Sequence, residues 1–592
     1  MNPRTWKLSD IYPSIDDENI SSDKKKCEDL VSKFKDGFEG NLTPQNLKDA
    51  IRIYENILII LEKLSAFSFL YLQTRLNNQD ALSFFQGISE WITSIQSELV
   101  FFDIEITNLD MGEILVEFEG DDEFKRYTSW IENCFRFKDH LLSKEGEFVA
   151  SQKSMTSRYP WIRLYDEISA MMTFDFKGEK KSLSEIVEIA NHSDDSDERR
   201  DASLSLSSGL QNHAFYIKSI YNNIILDTSI DNRLRKFSYA EESRHLSNNI
   251  DRQSVDYLVE AVISGYKKTS HKYYEIKSRL LGRERIEYWD RNAPIKLSKY
   301  LDRKYTYEEA CDIVLEGYGS FCPEFKDIAK EFIDNDWIDV YPCDGKTSGA
   351  FSHHCCSEIH PYILLNFFGS MRDVSTLAHE LGHGIHQRLS NRNGPILSDT
   401  PITLSEVASL FGEKLIFEEL LKKTSNNLER IDLLCSKLDD TINSVIRQIA
   451  FFEFERKCHN IRQNGELSIE DISRIWMETQ RDALGDFVNI DERLSNYWCY
   501  ISHFFHCPFY VYAYAFGEIF VNALYSKYKT MGHDFVGYYR NMLSRGGIDR
   551  YDVASRVFGL NPLDSDFWFD GVKTIENQVC ELEDLCCGLL SS

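Results

Sequence analysis

The chain has 592 residues, with 67 Lys+Arg against 95 Asp+Glu and a net charge of −28. A surface that acidic repels phosphate backbones and anionic headgroups, which excludes nucleic-acid or membrane-surface binding as the main activity. Hydrophobic residues at 42% and charged residues at 27% are those of an ordinary globular protein, and 12 Pro with 29 Gly call for long helices and few turns.

The chain opens MNPRTWKLSD, with no apolar stretch behind a basic start, so a cytoplasmic protein is expected. Fourteen cysteines are scattered without a CxxC pair, which suits reduced thiols acting as small hydrophobes. Leu82, Phe85, Ile88, Ile92, Ile95 and Leu99 recur at spacings of three and four and predict an amphipathic helix. The polar run Asn191 to Asp201 reads as a surface loop between two helical regions. Period-two alternation is rare. The best strand is Tyr362 to Phe368, with Gly349 to Ser352 as its partner in a small sheet. Ile431, Leu434, Leu438, Ile442, Val445, Ile449 and Phe452 form a second helical stripe. The apolar stretch Phe504 to Tyr525 is long enough to span a bilayer, but Pro508, Glu518 and four tyrosines make it a protein-lined segment instead.

The chemistry lies in His379-Glu380-Leu381-Gly382-His383, an HExxH sequence preceded by Asp373-Val374-Ser375 as a helix-start region. On a helix, positions i and i+4 share a face, so both imidazoles can bind one Zn²⁺ while Glu380 serves as general base toward a water. Gly382 and Gly384 inside this helix each cost about 1 kcal/mol relative to Ala, which makes sense where another backbone approaches closely. A catalytic zinc keeps three protein ligands. The metzincin pattern fails, because the positions it needs hold His386 and Leu389. A carboxylate on the following helix is the remaining option. Glu406 supplies it, although Thr403-x-x-Glu406 also has the form of a capping box. Glu413, two turns on, is placed to orient a ligating imidazole; His386 reads as packing or as a group behind the ligands. His353-His354-Cys355-Cys356 tempts as a second metal site, but consecutive strand residues point to opposite faces and cannot all chelate one ion.

These residues resemble the M3 family of zinc metallopeptidases, in its oligoendopeptidase F branch. The likeness runs from Trp6 to Ser14, through His140 to Ser143, to the specific segment His360 to Gln387 and the C-terminal tyrosine-rich helix. It implies a mainly α, two-lobed peptidase with a deep substrate cleft and one small β-sheet beside the HExxH helix. Its regions would be an N-terminal helical lobe at 1–190, a catalytic region at 200–582 and a short tail at 583–592. The resemblance implies one Zn²⁺ per chain on His379, His383 and Glu406. It also implies catalytic His and Tyr groups from the segment holding His503, Tyr510 and Tyr514, with Tyr514 favoured, to stabilise an oxyanion. The expected activity is hydrolysis of internal bonds in short unstructured peptides. A dipeptidyl carboxypeptidase of the same fold and an inactive peptide-binding protein are the alternatives.

Overall fold

The computed structural model describes residues 4–590. It is mainly helical, 72% helix and 3% strand, and divides into two compact units. The first comprises residues 1–144, 302–422 and 524–559; the second comprises 145–301, 423–523 and 560–592.

The elements used below are, in chain order, α1 (Leu47–Gln73), α2 (Gln79–Leu99), α3 (Leu183–His192), α4 (Ser196–Leu234), α5 (Tyr307–Phe321), β1 (Ile338–Asp339), β2 (Phe351–His353), β3 (Tyr362–Leu364), α6 (Met371–Ser390), α7 (Ile402–Lys423), α8 (Asn427–Thr441), α9 (Arg447–Arg462), α10 (Tyr512–Met531) and α11 (Ser565–Leu590).

In the first unit, α1 and α2 carry much of one apolar core, to which Tyr362 and Leu364 of β3 also contribute. The stripe expected on α2 buries Ile88, Ile95 and Leu99, whereas Leu82 in the first turn stays 44% exposed. The expected sheet forms, in the order β1-β3-β2, with β2 antiparallel and β1 parallel to β3. It is shorter than the apolar run, since β3 stops at Leu364. Two further two-stranded pairings, Phe174–Phe176 with Glu179–Lys181 and Ile286–Glu287 with Val488–Asn489, escaped the periodicity because strands of two or three residues carry no readable alternation.

In the second unit the polar run at 191–201 is not a loop throughout. α3 continues to His192 and α4 begins at Ser196, because the Asp195 side chain accepts from the Asp197 and Glu198 amides. Arg199 then turns inward to pair with buried Asp290 at 2.6 Å. The second stripe is buried along its whole length. It is interrupted between α8 and α9 by a π-helical turn, Ile442–Ile446. α11 runs on to Leu590. Among the described residues, no helix is long and apolar enough to cross a membrane.

Candidate metal centre and active site

The helix that carries HExxH starts one turn earlier than expected. Ser370 is its N-cap, with its hydroxyl accepting the Asp373 amide at 3.2 Å and the Asp373 carboxylate accepting the Ser370 amide at 2.8 Å. Asp373 also accepts from the Phe368 amide at 3.0 Å, which fixes the approach from β3 into α6. Along α6, His379 and His383 fall on one face, their ring centres 4.9 Å apart.

The crossing of α6 and α7 brings the third group in. A Cβ on Gly382 would lie 2.6 Å from the Ala408 carbonyl oxygen and 2.7 Å from Ser409 Cα, so only glycine permits this approach. Gly384 instead makes room for the Phe332 ring, 2.8 Å from its would-be Cβ. Gly412 of α7 is equally constrained: Tyr318 of α5 packs over it and donates to the Ala378 carbonyl at 2.6 Å.

Glu406 Oε2 then stands 3.7 Å from both His379 Nε2 and His383 Nε2. Ligands about 2.1 Å from a tetrahedral zinc are roughly 3.4 Å from one another, so the two distances fit a shared ion after small side-chain adjustments. Among the described residues this trio is the one group of His, Cys, Asp or Glu tight enough to hold a metal. The capping-box role for Glu406 is not what forms. Thr403 lies inside α7 with a buried, unpartnered hydroxyl, and Glu406 accepts from Ser409 Oγ at 3.1 Å.

The outer ring nitrogens are occupied too. His379 Nδ1 donates to Glu413 Oε1 at 2.5 Å, leaving Nε2 free for a metal. His383 is hydrogen-bonded to the Ser405 carbonyl, an acceptor that it shares with His386. No side-chain pattern could have revealed that carbonyl. Burial pulls His379 down, but the Glu413 hydrogen bond and the surrounding carboxylates prevail and raise it to about 9. Burial pushes Glu380 up to about 7 against the pull of His379, and the Ser352 amide of β2 donates to its carboxylate. Glu406 is likewise raised, chiefly by burial. A divalent cation in the middle of these groups would favour the ionised carboxylates and the neutral imidazoles.

The run from His353 to Cys356 is spread out. His353 stacks on Phe69 with ring centres 4.9 Å apart, His354 bonds Asn391, and Cys355 and Cys356 are buried.

In the second unit, His503, Tyr510 and Tyr514 come together. His503 Nε2 and the Tyr514 hydroxyl are 3.0 Å apart. The Tyr510 ring stacks on His503 at 5.9 Å and meets the Tyr514 ring edge-on at 5.5 Å. Burial lowers the basicity of His503, which favours the neutral ring. Glu455 of α9 holds the turn before this cluster: its Oε1 accepts at 2.9 Å from Phe509 N–H, and Phe509 has φ +61°. Tyr512 is tied at its hydroxyl by His245 and Asn248, at 3.1 and 2.8 Å. Glu455 left no sequence signal, because nothing in the α9 sequence sets it apart from half-buried Glu453 two residues earlier.

Comparison with known proteins decides the family. The model of peptidase family M3 matches residues 190–574, and that described as oligopeptidase F matches 105–174. The chain belongs to peptidase family M3. Its relatives include the oligopeptidase PepF of Bacillus subtilis, 26% identical over 98% of this chain and 87% of that protein. An oligoendopeptidase F homolog of Borreliella burgdorferi is 28% identical over 98% of this chain and 97% of its own length. Among solved structures, a protein from Chlamydophila abortus superposes with a TM-score of 0.81 at 23% identity, covering 99% of both chains. Oligoendopeptidase F from Enterococcus faecium gives 0.70 at 20%, covering 96% of this chain and 97% of its own. This M3 chain is therefore a peptidase, a hydrolase of the metalloprotease class, with the mostly helical fold that the resemblance implied.

Proposed function

We propose that the chain is a zinc-dependent oligoendopeptidase that cuts internal bonds of short unstructured peptides. The observation that carries this reading is the convergence of His379, His383 and Glu406, with Glu380 beside them on the same helix and bonded to strand β2. The donor set fits zinc: two imidazoles and one carboxylate, with the outer nitrogens of both rings already bonded. A zinc ion held there supplies Lewis-acid polarisation of the scissile carbonyl and makes a nearby water more acidic.

The chain's own residues do the rest. Strand β2 lies at the edge of its sheet, so an extended peptide placed along residues 349–368 gains backbone hydrogen bonds and needs no particular side chain. Glu380, its basicity raised by burial, takes the proton of the attacking water and returns it to the leaving amine. Tyr514 donates its hydroxyl to the developing oxyanion, with His503 as its hydrogen-bond partner and Tyr510 packed against both. We read 1–190 as the N-terminal helical region, 200–582 as the catalytic region and 583–592 as the chain's last segment. The reading includes one zinc per chain, peptides as partners, and a cytoplasmic setting.

Mass-spectrometric cleavage mapping tests the proposal, using a peptide library with N- and C-terminally blocked members and Glu380→Gln in parallel. Cuts inside blocked peptides by the unaltered enzyme alone are expected. Cuts confined to free C-termini would make it a dipeptidyl carboxypeptidase, and no cleavage by zinc-loaded protein would make it a binding protein.

A further inference from the structure

Within the second unit, two arginines lie beside one another without a carboxylate. Arg291 is 2% exposed and Arg447 9%. Both turn Nη1 to the same acceptor, Asn443 Oδ1, Arg447 from 3.3 Å. Arg447 Nη2 is 3.4 Å from the Tyr288 hydroxyl, and the Arg291 guanidinium sits 5.2 Å from the Tyr288 ring centre. The Nε–H of each arginine is buried and has no partner.

The nearby carboxylates are already engaged. Asp290 pairs with Arg199 and Arg283. Asp439 accepts both oxygens' worth of bonds from Lys277 Nζ at 2.7 Å and one from the Tyr273 hydroxyl at 2.7 Å. Lys277, Arg291 and Arg447 thus face one negative charge, an excess of two positive charges in a buried place. A buried unpaired charge is strongly destabilising, and arginine does not escape by losing its proton. The remaining polar groups around the pair are phenols. Tyr288 is made more acidic than usual, since the two guanidiniums outweigh its burial, and Tyr274 and Tyr500 also bond the arginines. One phenolate would still leave a positive charge over. Asn443, the shared acceptor, sits on the π-helical turn, a geometry that recurs at functional sites.

We propose that Arg291 and Arg447 form a binding site for a small monovalent inorganic anion of the halide class, taken up by their two unpartnered Nε–H groups. Chloride is the abundant member. Tyr500 closes the short helical turn Tyr497–Tyr500, three residues before His503, so the anion anchors the stretch that leads into the tyrosine cluster. The inference concerns binding and stability and stands apart from the peptidase mechanism.

The test is thermal unfolding of the full chain at constant ionic strength, with sodium chloride replacing sodium gluconate. The midpoint should rise saturably, by about 1 °C at tenfold excess over the dissociation constant. Arg447→Gln should abolish this response and, having shed an uncompensated charge, should melt higher than the unaltered protein in gluconate. Bromide soaked into crystals of the unaltered protein should give an anomalous peak between Arg291 and Arg447, a measurement that does not depend on the variant folding. Equal midpoints in chloride and gluconate, or a chloride response surviving in Arg447→Gln, would overturn the proposal. So would the absence of a bromide peak together with a tyrosinate band at neutral pH that Tyr288→Phe removes, since the phenolate would then be the counter-charge.

Discussion

Replacing Glu413 with alanine tests how the imidazole is aimed at the metal. In the structure Glu413 Oε1 accepts from His379 Nδ1 at 2.5 Å, and the carboxylate is 26% exposed, so water only partly screens it. The bond does two things: it fixes the tautomer that leaves Nε2 for the metal, and it holds the ring plane toward Glu406. Loss of such an outer partner costs ten- to a hundredfold in metal affinity, about 1.4–2.7 kcal/mol. Glu413→Gln keeps an acceptor oxygen in place and loses only the charge, so a smaller loss of roughly three- to tenfold is expected. Zinc titration against a chromophoric chelator reads both values, with thermal melts of the metal-free proteins as a check on folding. If Glu413→Ala is folded and binds zinc within about twofold of the unaltered chain, while His379→Ala does not bind, the orienting role is refuted.

Four further outcomes follow from the same geometry. Glu380→Gln should keep its zinc and lose roughly 10²–10⁴ in kcat, whereas loss of metal would mean Glu380 is a structural group; zinc content and steady-state rates separate these. Tyr514→Phe should lower kcat about 10²–10³-fold with KM little changed, and an unchanged kcat would remove it from the oxyanion role. Gly382→Ala drives a methyl group into the Ala408 carbonyl, so it should cost about 1–3 kcal/mol in stability and weaken zinc binding together, as melts and titration will show. Glu455, fully buried, has its carboxyl pushed up to about 8 by burial, against an ordinary value near 4.5. Its folded-state value lies above the unfolded one, so the stability it contributes is full below pH 4.5 and is lost as pH rises through about 8. Glu455→Gln should therefore melt increasingly higher than the unaltered protein across that window, and parallel pH profiles would show that Glu455 ionises freely.

How much the sequence disclosed depended on whether the signal was local. HExxH is a spacing on one helix, so His379, Glu380 and His383 needed no knowledge of the fold. Glu406 was ambiguous because a capping box and a ligand share one pattern. What separates them is the helix crossing at Gly382, which is tertiary. The run at 191–201 was misread because its acids are both loop formers and good first-turn residues, and the buried Asp290 that draws Arg199 inward lies ninety residues away. The π-helical turn at Ile442–Ile446 hid inside an unbroken apolar stripe: one widened turn shifts the phase too little to show. Backbone groups such as the Ser352 amide and the Ser405 carbonyl leave no trace in side-chain chemistry at all.

The crossing at Gly382 also bears on how fast a metal held beside it could leave. With Ala408 and Ser409 against α6, and Tyr318 locking Gly412 to the same helix, α6 and α7 cannot separate by a fraction of an ångström without breaking close-packed contacts. Exchange of a zinc ion held by His379, His383 and Glu406 would then proceed by rotation of the three side chains on a fixed frame. Each of those rotations is resisted, at His379 by Glu413, at His383 by Ser405 and at Glu406 by Ser409. Such a centre should give up its metal to a chelator slowly and in a single phase, with a rate that rises when Glu413 is removed and is indifferent to mild denaturant.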